Sequence, residues 1–474
     1  MTVRKSLALA TVSNYVTMLI SFGAMLIIAR QLTPIEFGIY SISLASTGFL
    51  NALREGGVNA YIIQHQSDDL DVLQAAFTAA TFLSLISALI LLIMAPLAGD
   101  FFNAPEVTSI LWIIMASFLA YPFVATVFAT LQREMRFHTI LIMEVTVSLV
   151  QSFVALSLVF LGFGVYSLAI AVTTSSFVRA VFCLAVVPDL KRFRVRFTGV
   201  LAVLGFSVVA TGSLILREVK DGAFALIAGR LIGPAPVGLA DRSLSIIRLY
   251  DKVIAGIYPV VLPAFAELRR SGADSVEPLL KGQAMLNLTA MGVYGFLMIA
   301  AEPVLIFLYG GQWRDAAAFV PPMMLAALFG SAFERLATPI YIAHGRVDIV
   351  LKIQSFLAPV TVFALIIAAP FGVMPALWAL VGTSILGALA DLFFLPTLID
   401  VTRKALIRAF ANAILVVLPA MIVGVLAAQF AEHWRLGTFL YLVCVGLPYL
   451  LAFMTSAFFL KHPIADEVKR WRHA

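Results

Sequence analysis

Two consecutive apolar segments of the chain carry ionisable side chains near their centres. The first reads FSVVATGSLILREVKDGAFALIAG and holds Arg217, Glu218, Lys220 and Asp221. The charged positions of the second segment are Asp241, Arg242, Arg248, Asp251 and Lys252. A charge at membrane depth is costly, so such groups normally face a water-filled cavity and mark the path of a substrate or an ion. The pattern therefore predicts a charged site inside a membrane protein.

Helical spacing predicts which of these side chains meet. Residues three or four positions apart share a helix face, so Arg217 and Asp221 are expected to pair, with Lys220 close to that face. The second segment has one polar stripe, made by Asp241, Ser245, Arg248 and Lys252. Within it, Arg248 and Lys252 lie one turn apart and repel each other unless Asp251 or a bound anion neutralises them.

Other acids and bases in the apolar segments are adjacent in sequence or stand alone. The adjacent pairs are Arg54–Glu55, Asp241–Arg242 and Glu334–Arg335. Because neighbouring side chains on a helix point about 100° apart, we expect their partners on other helices. For the single acids Glu144, Glu302 and Asp391, one interpretation is that each carries a coupling proton. We favour the other, that each caps a helix or reaches toward its end. Ion pairs that only hold helices together are the competing interpretation, but the concentration of charge in two consecutive segments favours function.

The composition places the chain in a membrane. It is 62% hydrophobic and 12% charged, whereas a soluble domain is roughly half apolar and a quarter charged. A transmembrane helix needs about 20 apolar residues. We predict about fourteen such helices, at residues 6–29, 37–62, 76–98, 107–130, 139–161, 164–187, 206–229, 237–262, 285–308, 317–343, 350–369, 373–396, 407–429 and 436–459. The predicted fold class is all-α integral membrane.

The distribution of Lys and Arg predicts the orientation. The loops on the side of the two termini hold most of these residues, as in the basic stretch 191–196. The opposite loops hold only Arg30, Arg230, Arg314 and Arg435. The positive-inside rule then places both termini in the cytoplasm. The net charge of +6 is spread over many short loops rather than one patch, which argues against a nucleic-acid partner.

Sequence motifs for catalysis are absent. Cys183 and Cys444 fall within predicted helices and imply no disulfide framework. The chain has no glycine-rich phosphate loop, zinc-ligand pair or nucleophile motif, and its short predicted loops leave no room for a soluble catalytic domain. We therefore predict that the protein is not an enzyme and uses no metal or cofactor, with coupling to H⁺ or Na⁺ left open.

An internal repeat relates positions whose numbers differ by 200. LIIARQLTPIEFGIYSISL at 26–44 lies over LIAGRLIGPAPVGLADRSL at 226–244, and the matches include Arg30/Arg230, Pro34/Pro234 and Gly38/Gly238. The offset spans an even number of predicted helices, which indicates parallel halves like those of many transporters. The predicted domains are an N-terminal lobe of six helices at 1–190, a C-terminal lobe of six helices at 200–400, and helices 13 and 14 with a cytoplasmic tail at 401–474.

Three stretches resemble the bacterial polysaccharide flippases, a family in the same superfamily as the MATE exporters and the lipid II flippase. They read LIIARQLTPIEFGIYSISLASTGFLNALREGGVNAYIIQ, LQREMRFHTILIMEVTVSLVQSFVALSLVFLGFGVYSLAIA and GRLIGPAPVGLADRSLSIIRLYDKVIAGIYPVVLPAFAELRR. The resemblance covers residues 1–460. One departure is LREVKD at 216–221, which carries more charge than the family's seventh helix usually does.

The resemblance implies a function and a mechanism. Such proteins move undecaprenyl-diphosphate-linked oligosaccharide from the cytoplasmic to the periplasmic leaflet of the inner membrane, for O antigen, capsule or exopolysaccharide synthesis. They do so by alternating access in a V-shaped, two-lobed bundle with a cationic lumen, and the last two helices help to accommodate the lipid tail. The expected partners are the lipid-linked sugar, membrane lipid, and polymerase and chain-length proteins, with the carrier itself a monomer.

The candidate site residues fall into two groups. The expected contacts of the diphosphate headgroup are Arg54, Arg217, Lys220, Arg242, Arg248, Lys252 and Arg335. The expected charge-pairing or ion-coupling acids are Glu55, Glu218, Asp221, Asp241, Asp251 and Glu334. A MATE-type drug exporter is one rival, although cationic drugs would favour an acidic lumen. A membrane polysaccharide polymerase is another, although such enzymes usually have a large outer loop.

Overall fold

A computed structural model describes residues 3–55, 57–64, 70–187, 190–255 and 258–460. These residues form α-helices, short 3₁₀ turns and connecting loops, and the described ranges contain no β-strand. The predicted all-α class is therefore confirmed. The tail at 461–474, which we predict to be cytoplasmic, lies outside the described residues.

The chain divides into two compact units, Met1–Gly238 and Leu239–Ala474. The first contains α1 Val3–Gln31, α2 Pro34–Glu55, α3 Val58–Gln64, α4 Leu70–Phe102, α5 Pro105–Arg133, α6 Phe137–Phe160, α7 Tyr166–Val186 and α8 Val200–Leu231. In this unit α1 packs on α6, α2 on α8, and α4 and α7 on α5. Contacts thus group α8 with the first unit, whereas the repeat assigns it to the second half; the lobe boundaries drawn from the repeat stay a prediction.

The second unit begins within α9, Pro234–Ala255. Its other helices are α10 Tyr258–Ser271, α11 Val276–Ile299, α12 Ala301–Tyr309, α13 Val320–Ser331, α14 Glu334–Ala343, α15 Val347–Ala368, α16 Val373–Phe394, α17 Arg403–His433 and α18 Thr438–Phe459. Here α16 packs on α13 and α15, and α17 packs on α11 and α18. The Tyr449 hydroxyl of α18 donates a hydrogen bond to the carbonyl oxygen of Gly292, 2.7 Å away, which fixes the last helix to α11.

Eleven spans in the described part of the chain are long and apolar enough to cross a membrane. They comprise α1, α4 to α7, α11, the segment Gly311–Ala343, and the four segments built on α15, α16, α17 and α18. Helices α2, α8 and α9 are not among them. A multi-pass membrane protein is thus established, whereas the count of fourteen crossings stays a prediction.

Helix α4 shows how these helices fit a membrane. One face presents Ala76, Ala79 and Ala80, all fully buried in a cluster that also contains Ala125 and Ala129 of α5. Small side chains let two membrane helices approach closely, where packing rather than water exclusion holds them together. The opposite face of α4 exposes large apolar side chains, including Leu85, Leu89 and Leu92. A lipid environment would solvate that face.

Each of four predicted spans covers two or more helical elements instead of one continuous helix. The predicted span 37–62 corresponds to α2 and α3, and Gly57 between them adopts a left-handed φ of 69°. The other divided spans are 237–262 (α9 and α10), 285–308 (α11 and α12) and 317–343 (a 3₁₀ turn, α13 and α14). Glycine adopts positive φ at little steric cost, so Gly57 permits an abrupt end to α2.

Candidate functional site

The charged centre of α8 lies on its accessible side. Arg217 Nε and Asp221 Oδ2 are 3.9 Å apart, and both side chains are more than half exposed. Lys220 is half-buried. The helical spacing therefore positions Arg217 and Asp221 as expected, on an exposed surface of the helix.

Glu218, between these residues, turns toward α2. A Cβ atom on Gly48 of α2 would lie 2.7 Å from Glu218 Oε2, so glycine at this position lets the carboxylate lie close to α2. Glu218 also lies close enough to Glu55 for the two charges to interact. The middle of α8 and the end of α2 therefore bring together two predicted acids in the first unit.

Arg54, near the end of α2, is held between aromatic rings. Its Cζ atom lies 4.5 Å from the ring centroid of Phe118 and 4.3 Å from that of Tyr121, both on α5. Its side chain is 13% exposed, and the Glu55 carboxylate is 3.9 Å away. A guanidinium over an aromatic face gains cation–π attraction, which strengthens when water is excluded.

Asp241, at the start of the second unit, joins two arginines. One carboxylate oxygen accepts a hydrogen bond from Arg242 Nη2, and the other lies 2.9 Å from Arg248 Nη2. Arg242 is buried (4% exposed), whereas Arg248 is 57% exposed. Asp241 and Arg242 pair with each other, so the expectation that their charge partners lie on other helices is wrong for this pair. The long arginine side chain folds back to its neighbour in sequence, which the direction of the Cβ atoms alone does not predict.

Further contacts fix this arginine pair within the second unit. The Arg242 guanidinium lies 5.8 Å from the ring centroid of Tyr309, which ends α12. The hydroxyls of Ser245 and Tyr309 are 2.8 Å apart, and the Ser243 hydroxyl donates to the carbonyl oxygen of Ala316. These contacts hold Asp241 and Arg242 rigidly, so Asp241 can orient the more exposed Arg248.

Asp251 pairs with a cation from another helix. Arg335 Nη2, on α14, lies 2.6 Å from Asp251 Oδ1, and the same nitrogen is 3.4 Å from the Tyr294 hydroxyl. The Arg335 guanidinium also lies 5.1 Å from the ring centroid of Tyr250. Arg335 is buried (7% exposed), whereas Asp251 is half exposed. For the adjacent residues Glu334 and Arg335, the expectation of a partner on another helix therefore holds for Arg335, which pairs with Asp251. Asp251, in contrast, binds Arg335 instead of neutralising Arg248 and Lys252.

The predicted residues thus form several groups within the two units. The first unit brings together Arg54, Glu55 and Glu218, and it carries Arg217, Lys220 and Asp221 on the exposed side of α8. The second unit forms the groups Asp241–Arg242–Arg248 and Asp251–Arg335. Lys252 is exposed near the end of α9, and Glu334 is half-buried at the start of α14.

The sequence interpretation missed the partners of the single acids. Glu144 Oε2 accepts a hydrogen bond from Arg179 Nη2 at 2.8 Å. Glu302 pairs with Arg314 at 2.9 Å, and Asp391 accepts a hydrogen bond from the Tyr341 hydroxyl at 3.1 Å. Arg179 lies inside the predicted helix 164–187. A lone arginine within an apolar segment was the sequence signal for a partner on another helix.

Solved structures with this fold define the class of protein. The chain aligns with the lipid II flippase MurJ in an inward closed conformation at a TM-score of 0.77 and 13% identity, over 95% of this chain and 98% of MurJ. It also aligns with a multidrug resistance MATE family transporter in an inward-facing conformation, at a TM-score of 0.62 and 16% identity, over 84% and 96% of the two chains. The fold is therefore that of the MurJ and MATE transporters.

Sequence comparison then gives the family. The family described as "Polysaccharide biosynthesis protein" matches residues 27–318, and the chain belongs to it. A relative in Rhizobium meliloti (strain 1021), the succinoglycan biosynthesis transport protein ExoT, is 26% identical over 66% of this chain. The match spans only 64% of ExoT's length. The lipopolysaccharide biosynthesis protein WzxC of Escherichia coli (strain K12) is 23% identical over 94% of this chain and 91% of its own.

Proposed function

We propose that this protein flips undecaprenyl-diphosphate-linked oligosaccharide from the cytoplasmic to the periplasmic leaflet of a bacterial inner membrane. The product would supply the assembly of a cell-surface polysaccharide such as O antigen, capsule or exopolysaccharide. The observation that carries the proposal is the set of accessible cations, Arg217, Arg248 and Lys252, on two helices of a membrane transporter fold. Membership of the polysaccharide biosynthesis family supports it.

The chemistry of the substrate matches these cations. A diphosphate cannot enter hydrocarbon unless its charge is compensated. The guanidinium of arginine offers a planar fork of donors to phosphate, and lysine offers a compact charge. We assign the headgroup contacts to five cations: Arg54, Arg217, Lys220, Arg248 and Lys252. The remaining two candidates, Arg242 and Arg335, are buried beside Asp241 and Asp251, which favours a positioning role for them.

The proposed mechanism is alternating access between two lobes around a cationic, water-filled lumen, with both termini in the cytoplasm. The sugar chain would cross in the lumen while the lipid tail stays in the bilayer, next to α17 and α18. Asp221 and Asp251 would hold cations in place, or carry protons if transport is coupled to an ion. A polymerase and chain-length proteins would then act on the flipped product, so the carrier itself makes no polymer.

Export of surface polysaccharide tests the headgroup assignment. Arg217→Ala and Arg248→Ala, each expressed in cells that lack the native gene, are expected to abolish export, because each removes a cation that would compensate the diphosphate. The matched control is Arg346→Ala, since Arg346 lies in the loop before α15 and pairs with Asp348 at 2.8 Å. Immunoblots should show equal protein in the membrane. Normal export in both α8 and α9 variants would refute the assignment.

A further inference from the structure

A second group of charged and polar side chains lies inside the first unit, around Arg54. Arg179 of α7 lies close enough to Arg54 for the two guanidinium charges to repel each other. Glu144 of α6 compensates Arg179 through the 2.8 Å hydrogen bond. Among the described residues, the acid paired with Arg54 is Glu55 at 3.9 Å, and the Glu55 side chain is more than half exposed. Two like charges are therefore held together with one closely bound counter-ion.

Four buried polar atoms in this region are unsatisfied. Among the residues that the structure describes, Arg54 Nε, Arg179 Nε, Asn59 Oδ1 and the Tyr121 hydroxyl are buried and have no hydrogen-bond partner. Asn59, on α3, lies beside Tyr121 of α5, whose ring packs on Arg54. A buried polar group without a partner destabilises the protein, and more so if the group is charged. A bound molecule that supplies the missing partners would recover this cost.

The types of these atoms define the chemistry of a ligand that could bind to them. Arg54 Nε and Arg179 Nε are charged donors, which bind phosphate or carboxylate oxygens most strongly. Asn59 Oδ1 is an acceptor, which needs an O–H or N–H group. A ligand that carries an anionic group and a neighbouring hydroxyl satisfies Arg54 Nε and Arg179 Nε with the anion and Asn59 Oδ1 with the hydroxyl. A sugar phosphate and a sugar carboxylate both have this chemistry.

We propose that Arg54, Arg179 and Asn59 form a binding site for the anionic, hydroxyl-bearing part of a sugar, and that the anion competes with Glu144 for the charge of the Arg179 guanidinium. The assignment rests on the proposed function for its ligand, and it adds Arg179, Asn59 and Glu144 to the site. The anionic group is either the diphosphate that links sugar to lipid or the carboxylate of an acidic sugar.

Because the anion competes with Glu144 for Arg179, substitutions of these two residues should change the affinity for the anion in opposite directions. Purified full-length protein in detergent is titrated with sodium pyrophosphate and, separately, with sodium glucuronate, and the dissociation constant is measured by calorimetry. Arg179→Gln should weaken binding by about tenfold or more, because a charge-assisted hydrogen bond is lost. Glu144→Gln should tighten binding severalfold, because neutral glutamine competes less well for the guanidinium.

Two further variants separate binding from folding. Asn59→Asp should weaken anion binding, since it places a negative charge beside the position proposed for the anion. Arg136→Gln is the matched control, because Arg136 lies in the loop between α5 and α6 and pairs only loosely with Glu134 at 3.6 Å. Each variant is compared by its thermal unfolding midpoint, so that a misfolded protein is recognised. Glu144→Gln keeps the shape of the side chain and tests the proposal even if Arg179→Gln fails to fold.

The two probes distinguish the source of the anion. Variant-sensitive binding of pyrophosphate alone assigns the site to the diphosphate, and variant-sensitive binding of glucuronate alone assigns it to an acidic sugar. Binding of both supports the shared chemistry. No binding of either probe, or changes of the same sign in Arg179→Gln and Glu144→Gln, would overturn the proposal. These measurements do not depend on flipping, so their failure leaves the export and leaflet assays to test the proposed function separately.

Discussion

Cations in the helices differ in how they are held, and the difference assigns their roles. Arg242 and Arg335 are buried and bonded to Asp241 and Asp251. Arg248 is exposed and only shares Asp241. Removing one partner from a buried ion pair leaves an uncompensated charge, whereas an exposed pair contributes little to stability. Mutations of the acids should therefore report on folding, and mutations of the exposed cations on transport.

Asp241 compensates the charge of the buried Arg242 side chain. Asp241→Asn should lower the free energy of unfolding by about 3–5 kcal/mol, because Arg242 is left buried beside a neutral amide. Thermal unfolding in detergent measures the effect. Asp348→Asn, in an exposed pair with Arg346, should leave the unfolding midpoint unchanged. Equal midpoints for Asp241→Asn and the wild type would show that Asp241 does not stabilise the buried arginine.

The second residue-scale prediction concerns Arg217. Arg217→Lys should retain only part of polysaccharide export, since lysine keeps the charge but loses the fork that binds two phosphate oxygens. Surface polymer per cell is measured against Arg217→Ala and the wild type at matched expression. Full export by Arg217→Lys would mean that charge alone matters at this position.

Spacing along a helix predicted some of these contacts and could not predict others. The approach of Arg217 and Asp221 follows from their separation of four residues. The contact of Asp241 with its neighbour Arg242 depends on an arginine rotamer, which the sequence does not encode locally. The Glu144–Arg179 pair joins different helices, and its existence depends on the packing of α6 on α7. Sequence reasoning can find intramembrane charges, but only the packing assigns their partners.

At the scale of elements, the interface between α2 and α8 determines where the charges of α8 point. Gly222 faces Ala45, and a Cβ atom on Gly229 would lie 2.6 Å from Ile42 Cδ1. Ile42 is fully buried, so it cannot move away easily. Close packing of these faces leaves Arg217 and Asp221 on the accessible side.

This interface gives an element-scale prediction with an internal control. Gly229→Ala should lower the thermal unfolding midpoint, because overpacking a buried contact costs about 1–3 kcal/mol. Gly212→Ala, on the same helix with no atom within 4 Å of the added Cβ, should raise the midpoint slightly, since alanine favours helix by up to about 1 kcal/mol. If both variants shift the midpoint equally, α2 does not pack tightly on α8.

Helix positions were more predictable than helix breaks. Apolar length identifies a span because a membrane sets the length that it needs, and each predicted span overlaps at least one helix of the described residues. The break between α2 and α3 at Gly57 depends on one glycine in a left-handed conformation. The break between α13 and α14 contains no glycine, since Ala332 and Phe333 separate the two helices. Packing against neighbouring helices decides such breaks, and a single sequence does not show it.

At the scale of the whole molecule, the chain has the fold of the MurJ and MATE transporters and belongs to a family of polysaccharide biosynthesis proteins. The fold is shared with MATE multidrug transporters, so it does not by itself select a substrate. The choice of a lipid-linked sugar rests on the cations of α8 and α9 and on the family. An exporter of cationic drugs would need accessible acids in place of Arg217, Arg248 and Lys252.

The most direct test is the distribution of lipid-linked oligosaccharide between the two membrane leaflets in cells that lack this protein. The lipid is labelled in intact spheroplasts with a membrane-impermeant, sugar-oxidising reagent, and the labelled fraction is compared with the total extracted lipid. Our account predicts that the lipid-linked sugar accumulates in the cytoplasmic leaflet, out of reach of the reagent, and that surface polymer is lost. An unchanged labelled fraction together with intact surface polymer would contradict the flippase function.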